Sequence, residues 1–313
     1  MEIQKVGVVG CGIMGSGITQ VCATSGFDVT VTESKDELLK KGLSSIDYWL
    51  QKSVDKGRLS DENKSNILGR IHGTINIDDL MECDIIIEAV FDNLEVKRTV
   101  FTQLDKVCPE HTVLVSNTST LAIIDIASAT TRMDKVLGMH FFNPVPAMKL
   151  VEVIKSIATS DETLAIGKEF GAGIGKTVVV APDVPGFIVN RISSPQGIQA
   201  VIMLENGLAT AEDIDTAVKL GSNVKMGPLE RFDLIGLDTL LEGWGNLYKE
   251  YKDTKYAPPL LLKRMVAAGW LGRKSGRGFY TYDKDGNIIK PEKSFRQTFS
   301  AQGYRNHIFH LCE

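Results

Sequence analysis

The chain has 313 residues, enough for one large or two modest domains, and its 43% apolar content is ordinary for a globular protein. Thirty-five basic residues stand against 39 acidic ones, and the net charge of −4 without a long basic run argues against nucleic acid as the main partner.

Membrane and metal functions are also disfavoured by the sequence. No apolar stretch is long enough to cross a bilayer, and the first residues already form a strand pattern, so we predict neither a membrane span nor a signal peptide. The cysteines lack a CxxC or metal-ligand spacing, so we expect reduced thiols, no metal site and a cytoplasmic location, or the mitochondrial matrix only if a transit peptide has been removed. These cysteines are Cys11, Cys22, Cys83, Cys108 and Cys312.

The chain opens with a pattern typical of a dinucleotide-binding turn. A short β-branched run at 5–9 predicts a buried parallel strand, and residues 16–25 predict the helix that follows. Between them, Gly10 permits a tight turn, Gly12 lets a pyrophosphate approach the backbone, and Gly15 lets the helix pack closely on the strand. A glycine turn without a ligand is the alternative, but the full order of strand, glycines and helix favours a nucleotide site.

The second strand indicates which dinucleotide would bind. It is predicted at 27–32 and ends in Glu33, whose carboxylate can accept hydrogen bonds from ribose hydroxyls and repels a 2′-phosphate. The sequence therefore predicts NAD rather than NADP, a preference that Lys35 weakens slightly. Ile13 and Met14 of the glycine loop are assigned to the same cofactor site.

Residues 36–70 predict a helical projection that is longer than an ordinary crossover. Its apolar residues recur at helical spacing, and Lys52, Lys56 and Arg58 form a basic group on it. This group could bind a phosphorylated ligand, although a solvated lysine face is the alternative.

Further strand and helix patterns predict an α/β fold with a doubly wound, Rossmann-like N-terminal domain. The polar tip at 116–119 follows one of these strands, a position where ligands meet the carboxyl edge of such sheets. The further strands are predicted at 84–90, 112–116, 136–142, 151–154 and 177–180.

A proline-rich boundary at 182–186 separates this region from a mostly helical C-terminal domain. We therefore predict an NAD-binding domain at 1–184, a helical domain at 185–282 and a tail of unknown role at 283–313. Helices are predicted at 188–207, 211–219, 233–252 and 258–268.

Two apolar segments each carry one ionisable side chain, His140 in 140–144 and Glu152 in 150–154. Because an unpaired charge in a water-poor environment is costly and only five residues join the segments, a His140–Glu152 pair is plausible. A carboxylate that orients one ring nitrogen leaves the other free as a general base. An isolated structural histidine is the alternative, and we assign the other histidines (His72, His111, His307 and His310) to the surface.

Several long motifs in one order resemble the L-3-hydroxyacyl-CoA dehydrogenases, in particular the short-chain 3-hydroxybutyryl-CoA type, over about residues 4–282. The motifs are Gly-Cys-Gly-Ile-Met-Gly at 10–15, Ser-Asn-Thr-Ser at 116–119, Gly-Met-His-Phe-Phe-Asn-Pro-Val-Pro at 138–146, Met-Lys-Leu-Val-Glu at 148–152, Pro-Gly-Phe-Ile-Val-Asn-Arg at 185–191, Met-Gly-Pro at 226–228 and Gly-Arg-Lys-Ser-Gly-Arg-Gly-Phe-Tyr at 272–280.

The resemblance implies a role for individual residues. It implies that His140 is the catalytic base and Glu152 its partner, and that Ser119 and Asn190 contact the substrate oxygens. It implies further cofactor contacts through Asp92, Lys97, Asn117, Ser119, Asn143 and Lys274, and contacts of Lys52 and Lys56 with the CoA part of the substrate. The resemblance also implies a homodimer formed through the helical domain, with the site in the cleft between the domains.

This chain departs from the family pattern at some positions. Asp92 stands where the family usually has Glu, and Val224-Lys225 replaces a common His-Pro. The polar Ser193 and Ser194 follow the asparagine motif.

The predicted function is NAD-dependent oxidation of L-3-hydroxyacyl-CoA to 3-ketoacyl-CoA, and the reverse, with a His-Glu pair. Three alternatives remain open: a dehydrogenase of a free hydroxy acid or sugar acid on the same scaffold, a crystallin-like protein that binds the cofactor without turnover, and a 6-phosphogluconate-type dehydrogenase. The last uses a lysine as acid and base, and the His-Phe-Phe-Asn-Pro segment argues against it.

Overall fold

The computed structural model describes residues 3–290, which divide after Ile188 into two compact units. We call residues 3–188 the first unit and residues 189–290 the second unit. Most of the predicted tail, including Cys312, His307 and His310, lies outside the described residues.

The first unit is built on an eight-stranded sheet. Its strands are β1 (Lys5–Val9), β2 (Asp28–Thr32), β3 (Ile71–Thr74), β4 (Ile85–Glu88), β5 (Val113–Ser116), β6 (Val136–Phe141), β7 (Leu150–Lys155) and β8 (Thr177–Pro182). Their order is β3-β2-β1-β4-β5-β6-β7-β8, with β7 antiparallel to β6 and every other pair parallel. The order reverses direction between β1 and β4, which confirms the predicted doubly wound fold. β3, which the sequence did not predict, extends the sheet beside β2.

Helices connect most of the parallel strands, because parallel neighbours need a crossover connection. They are α1 (Ile13–Thr24), α2 (Asp36–Asp55), α3 (Asp61–Gly69), α4 (Leu94–Val107), α5 (Ile123–Ala127) and α6 (Asp161–Gly173). α2 and α3 occupy the segment predicted as helical at 36–70, and Ser60 caps α3 by accepting a hydrogen bond from the Asn63 N–H. Short 3-10 helices lie at Ile77–Leu80 and Met133–Lys135.

The central strands β1, β4, β5, β6 and β7 are buried on both faces, which explains why they are almost continuously apolar. Within β4, Ile85 and Ile87 belong to one hydrophobic cluster and Ile86 belongs to another, because successive side chains point to opposite faces.

The second unit is mostly helical, as predicted. It contains α7 (Val189–Glu205), α8 (Ala211–Gly221), α9 (Pro228–Ile235), α10 (Leu237–Tyr251), α11 (Leu260–Ala267), 3-10 helices at Thr254–Tyr256 and Arg273–Ser275, and a hairpin of β9 (Thr281–Tyr282) and β10 (Ile288–Lys290).

The single helix predicted at 233–252 is wrong. Gly236 has φ +106°, outside helical backbone, so α9 and α10 are separate helices. Pro228 starts α9 at a position where its missing N–H has no intrahelical partner to lose.

Candidate active site

The loop between β1 and α1 has the shape that its glycines predict. Gly10 has φ +94°, and a Cβ there would lie 2.9 Å from the Ala89 carbonyl oxygen. A Cβ on Gly15 would overlap the Gly10 carbonyl, so α1 packs directly on the turn. Nothing lies within 4 Å of the Cβ position of Gly12, so the backbone there is open to a ligand. A loop of this kind at a helix N-terminus fits the pyrophosphate of a dinucleotide.

Glu33 lies at the end of β2 and contacts this loop. Its Oε2 accepts a hydrogen bond from the Cys11 N–H at 3.0 Å, and its Oε1 accepts one from the Ser34 N–H at 2.7 Å. Partial burial acts to raise its pKa, but these hydrogen bonds outweigh burial and lower the pKa below its ordinary value. Glu33 is therefore a carboxylate at neutral pH, as the predicted discrimination against a 2′-phosphate requires.

Lys97 is fully buried beneath the loop that follows β4. Its Nζ lies 2.7 Å from Glu88 Oε1 and 3.6 Å from Asp92 Oδ1. Glu88 is itself buried and also accepts a hydrogen bond from the Ser116 hydroxyl at 2.7 Å. In this structure Lys97 thus forms ion pairs with two carboxylates. Its predicted contact with the cofactor stays a prediction.

Asp92 connects this buried lysine to Ser119. Its Oδ2 accepts hydrogen bonds from the Ser119 N–H and hydroxyl, both at 3.3 Å, and from the Thr120 hydroxyl at 3.1 Å. The shorter acid of this chain therefore reaches the loop that carries the predicted substrate serine. Asn117, from the same loop, accepts a hydrogen bond at 3.0 Å from the Phe141 N–H beside His140.

His140 and Glu152 are brought together by strand pairing. They are direct partners in the antiparallel register of β6 and β7, and His140 Nδ1 lies 2.7 Å from Glu152 Oε2. Both side chains are buried, and the second carboxylate oxygen, Oε1, accepts a hydrogen bond at 3.0 Å from the Ile188 N–H. Because Nδ1 is engaged, the imidazole can present Nε2 to a substrate.

Two phenylalanine rings flank His140. The ring centroid of Phe142 is 4.4 Å from that of the imidazole, and the centroid of Phe187 is 5.6 Å from it. Phe187 has φ +46°, an uncommon conformation for a bulky residue, next to Gly186 at +83°. Phe187 was not among the residues predicted for the site, although its place in the Pro-Gly-Phe motif was a usable signal.

A cavity of about 580 Å³ lies between α1, α2 and the segment that follows β6. Lys52, Lys56, Arg58 and Asn143 line it, so the predicted basic group and one predicted cofactor residue share one space. Trp49 also lines it, and Lys52 Nζ lies 4.9 Å from the Trp49 ring centroid. Trp49, which precedes Lys52 by one helical turn, was not predicted for the site.

Asn190 and Lys274 belong to the second unit. Asn190 lies in the first turn of α7, and Lys274 Nζ pairs with the Asp238 carboxylate at 2.6 Å. Their contributions to the site remain predictions.

Residues 3–290 contain no group of three or more His, Cys, Asp or Glu side chains arranged to hold a metal ion. Nor does any described helix have the length and apolar character needed to span a membrane.

Two family models match adjoining parts of the chain. Residues 5–184 match the NAD-binding domain of 3-hydroxyacyl-CoA dehydrogenase, and residues 186–282 match its C-terminal domain. Curated relatives include 3-hydroxybutyryl-CoA dehydrogenases from Clostridioides difficile (47% identity over 280 residues, 90% of this chain and 100% of the relative) and Bradyrhizobium diazoefficiens (45% over 280 residues, 90% and 96%).

The structure leads to the same family. A crystal structure of (S)-3-hydroxybutyryl-CoA dehydrogenase from Ralstonia eutropha matches with a TM-score of 0.85 and 43% identity, covering 90% of this chain and all of that one. Together with the glycine loop and the nucleotide-binding strand order, these matches confirm the predicted cofactor, NAD, and the predicted enzyme class. The chain belongs to the 3-hydroxyacyl-CoA dehydrogenase family.

Proposed function

We propose that this chain interconverts L-3-hydroxybutyryl-CoA and acetoacetyl-CoA with NAD, and that His140 is its acid–base residue. The observation that carries the proposal is the buried His140–Glu152 pair, with 2.7 Å between Nδ1 and Oε2, in a member of this family. A buried imidazole oriented by a carboxylate is suited to proton transfer at a hydroxyl group.

The cofactor would be held by the groups already described at the strand ends. Gly10, Gly12 and Gly15, with Ile13 and Met14 between them, would receive the pyrophosphate, and Glu33 would receive the adenosine ribose. Toward the nicotinamide end we assign Asn117 and Asn143, with Asp92, Lys97 and Lys274 as further contacts. When NAD is bound, its nicotinamide ring supplies the acceptor for the hydride that leaves C3 of the substrate.

The protein's part in the chemistry is to move one proton. In oxidation His140 takes the proton of the 3-hydroxyl on Nε2, while Glu152 stabilises the resulting imidazolium through Nδ1. In reduction the imidazolium returns the proton to the carbonyl oxygen. Such acid–base help typically contributes ~10²–10⁴ in rate.

Ser119 and Asn190 would hold the substrate oxygens. Support for Ser119 comes from its hydrogen bonds to Asp92, which restrict the orientation of the hydroxyl. For the CoA part we propose the cavity lined by Lys52 and Lys56, since ammonium groups attract phosphates and the cavity also contains Asn143.

We further propose that the protein is a cytoplasmic homodimer that associates through the second unit. Light scattering after size-exclusion chromatography tests the assembly, because a monomer and a dimer of this chain differ twofold in mass.

The experiment that tests the function follows NADH oxidation by absorbance with acetoacetyl-CoA as the substrate. NADPH and free acetoacetate are the comparison substrates, and His140→Gln is the inactive variant. We expect rapid turnover only with NADH and the thioester, reduced about 10³-fold or more in the variant.

Other outcomes would favour the alternatives. Efficient turnover of free acetoacetate would favour a free hydroxy acid dehydrogenase. Tight binding of NADH by folded protein without any turnover would favour a non-catalytic protein, and full activity of His140→Gln would remove His140 from the mechanism.

A further inference from the structure

Lys176 is a lysine that the proposed chemistry does not use. It lies between α6 and β8, and only 9% of it is exposed. Its Nζ donates hydrogen bonds to the Val145 carbonyl at 2.6 Å and to the Met148 carbonyl at 2.8 Å. None of the ion pairs among the described residues involves Lys176.

A buried ammonium without a carboxylate needs an explanation, because taking a charge out of water is costly unless it is well hydrogen-bonded. Burial accordingly lowers the pKa of Lys176 from its ordinary value. Two carbonyl groups compensate for part of the lost hydration. The result is a charge-assisted connection between the residue that precedes β8 and a turn about thirty residues earlier in the chain.

That turn is the segment 144–148, which joins β6 to β7. The Ala147 and Met148 N–H groups both donate to the Pro144 carbonyl, at 3.0 and 3.1 Å, so the turn is compact. Val145 is buried against α1, where a Cβ on Gly17 would lie 2.9 Å from the Val145 Cβ. The turn is therefore held on one side by α1 and on the other by Lys176.

The same turn forms one wall of the cavity that contains the basic group. Residues 143–147 line the cavity together with Lys52 and Lys56. A shift of the turn would change the width of the cavity without breaking the His140–Glu152 pair, which strand pairing and the Ile188 N–H hold independently.

We propose that Lys176 is a positioning residue that fixes the 144–148 turn as a wall of the substrate cavity and thereby sets the affinity for the CoA thioester. The identity of the ligand rests on the proposed function, whereas the role of Lys176 in holding the turn does not.

Two substitutions and one control test this role. Lys176→Met keeps the apolar stem and removes the donors, and Lys176→Gln keeps a shorter, neutral donor. Lys168→Met alters an exposed lysine on α6 and serves as the matched control.

In steady-state assays we expect Lys176→Met to raise the KM for acetoacetyl-CoA about tenfold. That change corresponds to the free energy of one hydrogen bond to a charged group. We expect kcat and the KM for NADH to stay within about twofold, and Lys176→Gln to be intermediate. A kcat that falls with an unchanged KM for the thioester would overturn the proposed positioning role.

Hydrogen exchange measured by mass spectrometry tests the turn directly. In a peptide that spans 143–150 we expect the amides of Ala147 and Met148 to exchange at least about fivefold faster in Lys176→Met, with other peptides unchanged. If that variant does not fold, Lys176→Gln is compared with the wild-type protein in the same way.

The outcomes separate this proposal from the proposed function. Wild-type protein that fails to turn over acetoacetyl-CoA would refute the function, while exchange would still decide whether Lys176 holds the turn. Wild-type exchange rates at 143–150 in a folded Lys176 variant would overturn the inference even in an active enzyme.

Discussion

At the scale of single residues, the site depends on the burial of His140 and Glu152 side by side. Glu152 accepts hydrogen bonds from His140 Nδ1 and from the Ile188 N–H, and these two donors stabilise and orient its carboxylate. A glutamate so held can stabilise a positive charge that forms on the imidazole during the reaction.

We therefore expect Glu152→Gln to lower kcat about 10²–10⁴-fold, because the neutral amide neither stabilises the imidazolium nor enforces the same tautomer. Steady-state rates with NADH and acetoacetyl-CoA measure this effect. Glu169→Gln, at an exposed position on α6, is the control and should retain wild-type rates. A kcat within twofold of wild type in Glu152→Gln would show that the pair is structural.

We expect Glu33 to set the preference between NAD and NADP. Because its pKa is lowered, it is negative at neutral pH, and its charge should exclude the 2′-phosphate of NADPH. We expect Glu33→Gln to improve kcat/KM for NADPH relative to NADH by about tenfold or more. An unchanged ratio, equal to that of the exposed Glu37→Gln control, would show that another group discriminates between the cofactors.

At the scale of elements, Asp233 of α9 binds the glycine-rich segment 272–282 of the second unit through hydrogen bonds. The buried Asp233 carboxylate accepts hydrogen bonds from the Phe279 and Tyr280 N–H groups and from the Tyr282 hydroxyl, each at 2.9 Å. A Cβ on Gly278 would overlap that carboxylate, so the close approach requires glycine. Within the motif that contains Lys274, the buried Asp233 therefore accounts for the glycine at 278.

Burial raises the pKa of Asp233 to about 6, despite the hydrogen bonds that lower it. The ordinary value is 3.8, so the folded protein binds this proton more tightly than the unfolded chain does. The stabilisation from Asp233 is therefore fully present below about pH 4 and is lost as the pH rises through 6, by about 3 kcal/mol in all.

Urea unfolding at several pH values tests this effect. As the pH rises from about 4 to 7, the free energy of unfolding of the wild-type protein should fall relative to that of Asp233→Asn, because the amide does not titrate. The groups that both proteins share cancel in this difference. A difference that stays constant over this range would mean that Asp233 titrates normally.

Helices and strands were predicted correctly where the apolar pattern is strong, and wrongly where the pattern is weak or a single residue breaks the element. The strands around the glycine loop and the paired segments of His140 and Glu152 were predicted because their apolar patterns are strong. β3 was missed because its short segment, Ile71–Thr74, is not strongly apolar. The break at Gly236 was missed because the apolar spacing of α9 continues in α10, while the backbone turns.

At the scale of the whole molecule, the family relationship accounts for residues 5–282. The relatives from Clostridioides difficile and Bradyrhizobium diazoefficiens are matched over 96–100% of their own length by 280 residues of this chain. The match to the family's C-terminal domain ends at residue 282, so residues 283–313 lie outside both family domains.

We expect deletion of residues 291–313 to leave kcat/KM for acetoacetyl-CoA within about twofold of wild type. The assay should be accompanied by light scattering, so that a change in assembly is recognised. A loss of activity with an unchanged mass would assign the C-terminal residues a role in the site, and a loss of the dimer would assign them a role in association.

By itself, the sequence determined the fold class, the cofactor and the family, because these depend on patterns that are local in the chain: strand, glycine turn, helix and terminal acid. It also indicated His140 and Glu152, since each is a lone ionisable group in an apolar run. Only the tertiary structure decided what these groups contact, because strand register, the burial of Lys97 and the reach of Lys176 depend on chain segments distant in sequence. For the same reason only the structure shows that Asp92 contacts Ser119, that Phe187 packs beside His140 and that Lys176 binds the 144–148 turn.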